Sequence, residues 1–261
     1  MANLSDVLYE NNLTSSVSAV SYSGTEIDGF NKENLYDYKD FSTFKPEVSA
    51  TTTMDFTVSG SQSINTICIY ASKIGASGLD IKLYYESSPA TYTLLETIND
   101  CDGDLSWNEF SQVTVSSGRN IRLEFTSDAT QYEIKQIFVG PRMAMERGQY
   151  AGVNPPTLTQ GIVQSNNISE NGAILGTSVK RIDAKSSIDL MYLTESWVRS
   201  TWELFALHAS KGRSFFYSWN NTEYPDEIVF CVASKINPPK NITPTPLMSV
   251  SMPIICRQPD L

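Results

Sequence analysis

The sequence predicts a mainly β protein built from two β-sandwich units, the second of which carries one α-helix. Three observations lead there. Short apolar-alternating stretches recur through the first half, separated by Gly- and Ser-rich turns, with no helical stripe among them. The second half holds a single amphipathic stripe of helical period. Charge also divides: 9 basic and 19 acidic residues precede the cut after Arg142, whereas 10 of each follow it.

The first-half strands are read in order. Ile64 to Ala71 alternates Ile, Thr, Ile, Cys and Ile, so at least one of its faces is buried. Leu79 to Tyr85 sets Leu79, Ile81 and Leu83 against Asp80 and Lys82. Phe110 to Val115, Asn120 to Phe125 and Glu133 to Val139 continue the pattern. Such spacing indicates an antiparallel sandwich or jelly roll over residues 1–142. The Gly- and Pro-containing stretch from Gly148 to Pro156 punctuates the boundary.

Residues 143–261 form the second unit. Its helix is expected over about residues 194–210, because Val198, Trp202, Phe205, Ala206 and Ala209 make one apolar stripe. Thr194 is placed to cap its start and Gly212 to end it, with Lys211 and Arg213 at the negative end of the dipole. Strands are expected at Thr177 to Leu193, Ser214 to Trp219, Glu227 to Ser234 and Met248 to Cys256. The prolines of residues 237–246 forbid helix or central strand, which leaves an extended arm or long loop.

Composition disfavours most chemistries. With 29 acidic and 19 basic residues the net charge is −10, which opposes phosphate-based recognition of nucleic acid and adhesion to anionic membranes. No apolar run has the length of a membrane span, so insertion is not expected. The opening MANLSDVLYENN lacks the basic start and apolar stretch of an export signal, which implies a soluble chain made in the cytoplasm and not exported by the Sec route. A lone histidine, His208, disfavours Ser-His-Asp and Cys-His catalysis; near the end of the expected helix it reads as structural. Cys68, Cys101, Cys231 and Cys256 lack zinc-ligand spacing; two disulfides or four free buried thiols both fit, and synthesis in the cytosol favours the thiols. The acidic loop from Asn99 to Asp104 starts like a calcium loop, yet Leu105 and Ser111 stand where its Gly and bidentate Glu belong. No catalytic residue, cofactor or metal is expected.

Asn34-Leu-Tyr-Asp37, Phe41-Ser-Thr-Phe44, Ile64-Asn-Thr-Ile67, Asn120-Ile-Arg-Leu-Glu-Phe125 and Ile134-Lys-Gln-Ile-Phe-Val-Gly140 together resemble the discoidin-like, galactose-binding-like jelly roll. Gly212-Arg-Ser-Phe-Phe-Tyr-Ser-Trp-Asn220, followed by Tyr224 to Cys231, is similar to a strand pair of tailed-bacteriophage tail proteins. The second resemblance implies a non-enzymatic virion protein with a tail-tube-like second unit. It would form a ring of commonly six copies at the distal tail or baseplate, joining the tail tube to host-recognition components. Its partners would be itself, other tail proteins and a host-surface glycan.

Candidate contacts follow. Trp197 and Arg199 give the helix more bulk than one core face needs, and Pro238, Pro239, Pro244 and Pro246 belong to the arm, so all six are candidate subunit contacts. The alternative is a carbohydrate-binding, lectin-like module, with Trp107 and Tyr132 as exposed-loop aromatics touching glycan. A polysaccharide hydrolase using two carboxylates is a further alternative that the sequence cannot localise.

Overall fold

A computed structural model describes residues 5–47, 51–71, 78–99, 101, 105–127, 132–149, 154–158, 160–242 and 246–257. Strands in its first half are β1 (Asp6–Leu8), β2 (Val17–Tyr22), β3 (Thr51–Val58), β4 (Gln62–Ala71), β5 (Leu79–Ser88), β6 (Thr91–Ile98), β7 (Leu105–Val115), β8 (Asn120–Ser127) and β9 (Ile134–Gly140). Then come β10 (Met143–Ala144), β11 (Gln160–Ile168), β12 (Ile174–Thr194), β13 (Phe215–Ser218), β14 (Ile228–Ala233), β15 (Lys240–Asn241) and β16 (Leu247–Arg257). Residues 195–210 form one helix, α1, whose middle turn Val198–Trp202 is wound as a π-helix.

Three antiparallel sheets result. A five-stranded sheet runs β2-β3-β8-β5-β6, and a three-stranded one runs β7-β4-β9. These two enclose a core of Leu35, Phe44, Phe56, Ile67, Ile81, Leu123 and Phe125 among others. Alternation explains it: β8 buries Ile121, Leu123 and Phe125 while Arg122 and Glu124 face outward. The mainly β sandwich expected from the first-half pattern is present.

The third sheet runs β10-β1-β13-β14-β16-β12-β11, with β15 paired to β16. On one face it packs against α1 through Ile188, Leu190, Phe215, Tyr217, Met252, Val198, Trp202 and Phe205. Its other face meets the three-stranded sheet, where Leu8, Phe216, Ile228 and Phe230 pack on Cys68, Tyr70, Leu105 and Phe138. Phe138, Phe216 and Phe230 form a ring triad with centroids 5.0–6.1 Å apart. The strand expected at Ser214 to Trp219 therefore carries rings into two cores, Phe215 and Tyr217 into one and Phe216 into the other. The cut expected after Arg142 separates the two larger cores, but β1 crosses it: Asp6–Leu8 pair with β13 and β10.

Behind β1 the chain turns along the free edge of β9. The buried Asn11 carboxamide donates to Ile137 O at 2.9 Å and accepts from Val139 N at 3.2 Å, imitating a strand. Gly140 permits this approach, since a Cβ there would lie 2.3 Å from Glu10 O.

Thr194 Oγ1 accepts from Trp197 N at 3.3 Å, and Gly212 at φ +71° ends α1. The expected arm instead folds back on its own sheet: Lys240 and Asn241 pair with Ser249 and Met248 of β16. Pro238 and Pro239 are exposed on its approach, Pro246 O accepts from Glu195 N at 3.2 Å, and Pro244 lies outside the described residues. Strands β1, β2, β3, β6, β10 and β11 carry no counterpart in the sequence reading. All four cysteines are free and buried, with Cys231 and Cys256 Sγ atoms 3.2 Å apart across β14 and β16. No helix among the described residues is long and apolar enough to cross a membrane.

The ring triad makes a quantitative expectation. Phe138→Ala should lower unfolding free energy by about 3–5 kcal/mol in urea titration, because it opens a cavity in the one layer that joins the three-stranded sheet to the sheet of the second half. A loss below about 1 kcal/mol would show that the layer collapses without the ring.

Candidate functional site

One loop stands out by how it is built. Residues 36–43 follow a short 3-10 turn at Lys32–Leu35, whose Leu35 is buried in the sandwich core. At the other end the loop is anchored by Phe44, which exchanges backbone hydrogen bonds with Ile134 at 2.8 and 3.0 Å. Asp37 turns the chain, its Oδ1 accepting from Lys39 N at 2.9 Å and both carboxylate oxygens lying within 3.0 Å of Ser42 Oγ.

Beneath it lies Gln136, fully buried on β9. The strand pairs Ala71 with Ile134 but Tyr70 with Gln136, so Lys135 is bulged. That bulge points Ile134 and Ile137 into the sandwich core together and aims Gln136 at the loop. Its Nε2 lies 3.0 Å from Asn34 O, 2.8 Å from Asp37 Oδ1 and 2.7 Å from Lys39 O. Its Oε1 accepts from Tyr38 N at 3.2 Å.

The second half contributes equally. Ser214 Oγ donates to Tyr38 O at 2.8 Å, and Arg257 Nε donates to Asp40 Oδ2 at 2.7 Å. Tyr38 sits at φ +64°, an uncommon backbone state for a bulky residue, and its ring contacts Phe138 and His208. His208 lies between Tyr38 and Tyr9, with Nε2 3.1 Å from Ser214 O. Burial lowers its pKa, and the charges of Arg213 and Lys211 act in the same direction against the Ser214 carbonyl. It is a packing residue that braces the loop.

On this scaffold Phe41 stands 81% exposed, with Lys39 Nζ 5.8 Å from its ring centroid. Neither residue was singled out as a contact from sequence. The available signal was an aromatic between Asp40 and Ser42, a polar setting that no core strand would supply.

The two expected glycan aromatics are placed differently. Tyr132 is a core residue, stacked on Phe125 at 6.0 Å with its hydroxyl 3.4 Å from Thr52 Oγ1, so it presents no face to solvent. Trp107 lies on strand β7, half-buried against the layer shared by the two halves. Its Nε1 donates to Glu109 Oε1 at 2.9 Å, which also accepts from Arg142 Nη1 at 2.9 Å and Asn221 Nδ2 at 2.7 Å. This knot is a clasp between halves. Arg142 Nη1 lies 3.4 Å from Asp6 Oδ2, and burial of Asp6 pushes its carboxyl up to about 6, partly offset by Arg142 and reinforced by Glu109.

Of the helix residues, Trp197 is half-buried against Trp202, and Arg199 is exposed and bound to Glu195 Oε1 at 2.6 and 2.8 Å. Leu204 and Leu207, not the tryptophans, form the exposed apolar face of α1. Among the described residues no group of three or more His, Cys, Asp or Glu is arranged to hold a metal ion. All three carboxylates of the acidic loop, Asp100, Asp102 and Asp104, fall outside those residues.

No protein-family model matches the chain, and no curated protein matches it. Solved structures show partial likeness. A pectin-binding carbohydrate-binding module is 21% identical, matching 49% of this chain and 93% of that one with a TM-score of 0.41. A chitosan-binding module from a Paenibacillus chitosanase/glucanase is 18% identical over 51% of this chain and 100% of that one, TM-score 0.42. A Ruminococcus gnavus fucosidase in complex with fucose is 15% identical over 52% of this chain but only 28% of its own, TM-score 0.45.

The clasp carries a pH dependence. Asp6 binds its proton more tightly folded than unfolded, so its contribution lowers stability as pH rises from about 4 to about 6. Asp6→Asn should remove that slope, on the order of 1–3 kcal/mol across the window. Urea midpoints of both proteins at pH 4 and pH 7 read it directly; a difference between the proteins that ignores pH would refute it.

Proposed function

We propose that the protein is a non-catalytic saccharide-recognition module whose contact loop is residues 36–43. The observation that carries this reading is Phe41, an exposed phenyl ring on a loop braced from below by the buried Gln136. Such a ring adds nothing to the core. Its backbone entropy is already spent in folding, so a ligand that stacks on it meets a pre-ordered surface. Saccharides suit an isolated aromatic face, because their axial C–H groups pack on the ring while hydroxyls reach neighbouring polar groups.

A second reading rests on a different observation. Beyond Ala184, strand β12 leaves β16 and continues with β11 alone as a two-stranded ribbon. Ile168, Ile174, Leu175 and Val179 on it are all more than half exposed. A free ribbon of this kind is marginal in water and gains by pairing or packing. This supports a structural protein of a bacteriophage tail that assembles with copies of itself, within a virion, and the two readings are compatible.

For the first reading, Phe41→Ala should leave the urea midpoint unchanged and abolish retention on a glycan array of the full chain. Retention equal to wild type would remove the loop from the site. For the second, light scattering on a sizing column should give a discrete multiple, near six or three copies, for the full chain. Replacing residues 164–178 by a tight turn should give a monomer. If the shortened chain assembles as before, the ribbon plays no part.

A further inference from the structure

We infer that Cys231 and Cys256 are a redox pair that closes to a single disulfide when the chain folds in an oxidising medium. Spacing in the sequence leaves two disulfides and four thiols both open; the fold separates the four cysteines. Cys101 is buried in the sandwich core, Cys68 in the layer between the two halves, and Cys231 and Cys256 together in the core beneath α1. One pairing is therefore built, and it lies wholly within the second half.

Strand register carries the inference. Strands β14 and β16 run antiparallel with Phe230 opposite Arg257, Cys231 opposite Cys256 and Val232 opposite Ile255. Residues opposite one another on such a ladder have Cα atoms about 4.5–5.5 Å apart, inside the span of about 4.4–6.8 Å that a disulfide needs, and side chains on one face. The two Sγ atoms already lie 3.2 Å apart. Thiols also serve as small apolar filler in a core. Filler alone asks only for an apolar face; here the two share one rung, sulfur to sulfur, flanked by Phe215 on β13 and Ala184 on β12.

The oxidant is a small disulfide, glutathione disulfide. A thiolate from one cysteine attacks one of its sulfurs, forming a mixed disulfide and expelling a glutathione thiolate. The second cysteine then attacks the protein sulfur of the mixed disulfide and expels the other glutathione thiolate. Two protein thiols thus lose two electrons and two protons, and the oxidant takes up both to become two thiols. Both protein sulfurs are buried, and burial, reinforced by the neighbouring sulfur, pushes the Cys231 thiol up. Exchange in the folded chain is therefore slow in either direction. The bond forms while β14 and β16 come together, and folding then shields it from reductant. In a reducing medium both remain thiols, as they are in this structure.

The test refolds the full chain from urea in a mixture of oxidised and reduced glutathione, alkylates it in denaturant and maps the cysteines by peptide mass. The expected product is one cross-linked peptide pair joining Cys231 to Cys256, with Cys68 and Cys101 alkylated. The bond spans 25 residues, so the cross-linked chain should melt about 5–10 °C above the same chain refolded and held under reductant. Cys256→Ala should leave Cys231 alkylated and abolish that shift; the wild-type comparison decides the matter if the variant fails to fold. Alkylation of all four cysteines, a cross-link through Cys68 or Cys101, or a cross-linked chain that melts no higher than the reduced one overturns the inference.

Discussion

Strands β4 and β9 of the three-stranded sheet are buried on both faces, and the rest of the molecule is arranged around that constraint. One face closes the sandwich core through Ile67, Ile69, Ile137 and Val139; the other receives the second half through Cys68, Tyr70 and Phe138. A sheet of only three strands supplies little surface, so the apolar side chains of β4 and β9 fill one core or the other. The aromatic density of the second layer follows: Phe216 and Phe230 meet Phe138 edge-on, the arrangement aromatic rings prefer. The polar clasp of Glu109, Arg142, Asn221 and Asp6 sits beside this layer, where the buried carboxyl of Asp6 is a local cost that the surrounding apolar contacts offset.

A sheet with two cores also explains the loop. The bulge at Lys135 turns Gln136 away from the sandwich interior, toward the side on which the second half packs. A buried carboxamide there must find partners, and the carbonyls and carboxylate of residues 34–39 provide them. The loop is thus ordered by the need to satisfy one buried amide, and Phe41 is left exposed at its crest, with the Lys39 ammonium 5.8 Å from its ring centroid.

Much of this was legible in the chain. The stretches Ile64 to Ala71 and Asn120 to Phe125 lie within observed strands, Glu133 to Val139 begins one residue before β9, and the helix at 194–210 is present with its Thr194 cap and Gly212 stop. Even the bulges left a trace, since Ile134 and Ile137, like Ile64 and Ile67, repeat at three where a flat strand repeats at two. What escaped did so for physical reasons. Strand β1 has three residues, too few for a period, and its place is set by partners more than 130 residues away. Strand β11 lies in the ribbon, where its described side chains from Gln164 to Ile168 are all exposed, so burial imposes no apolar period there. Tyr132 is bordered by polar residues in sequence, yet stacks inside because Phe125 and Thr52 converge on it from other strands.

Sequence alone invites the view that a sugar-binding first half is an independent module that could be cut away at residue 142. The structure argues otherwise. Ser214 holds the carbonyl of Tyr38, Arg257 holds the carboxylate of Asp40, and His208 packs on the Tyr38 ring. All three come from beyond the cut. The first half in turn lends β1 to the other sheet, so separation would strip an inner strand from one half and three loop braces from the other. A left-handed Tyr38 is tolerable only while those braces hold it. The loop of residues 36–43 is therefore a property of the whole chain, and the second half acts on it through the short segment from His208 to Ser214 and through Arg257.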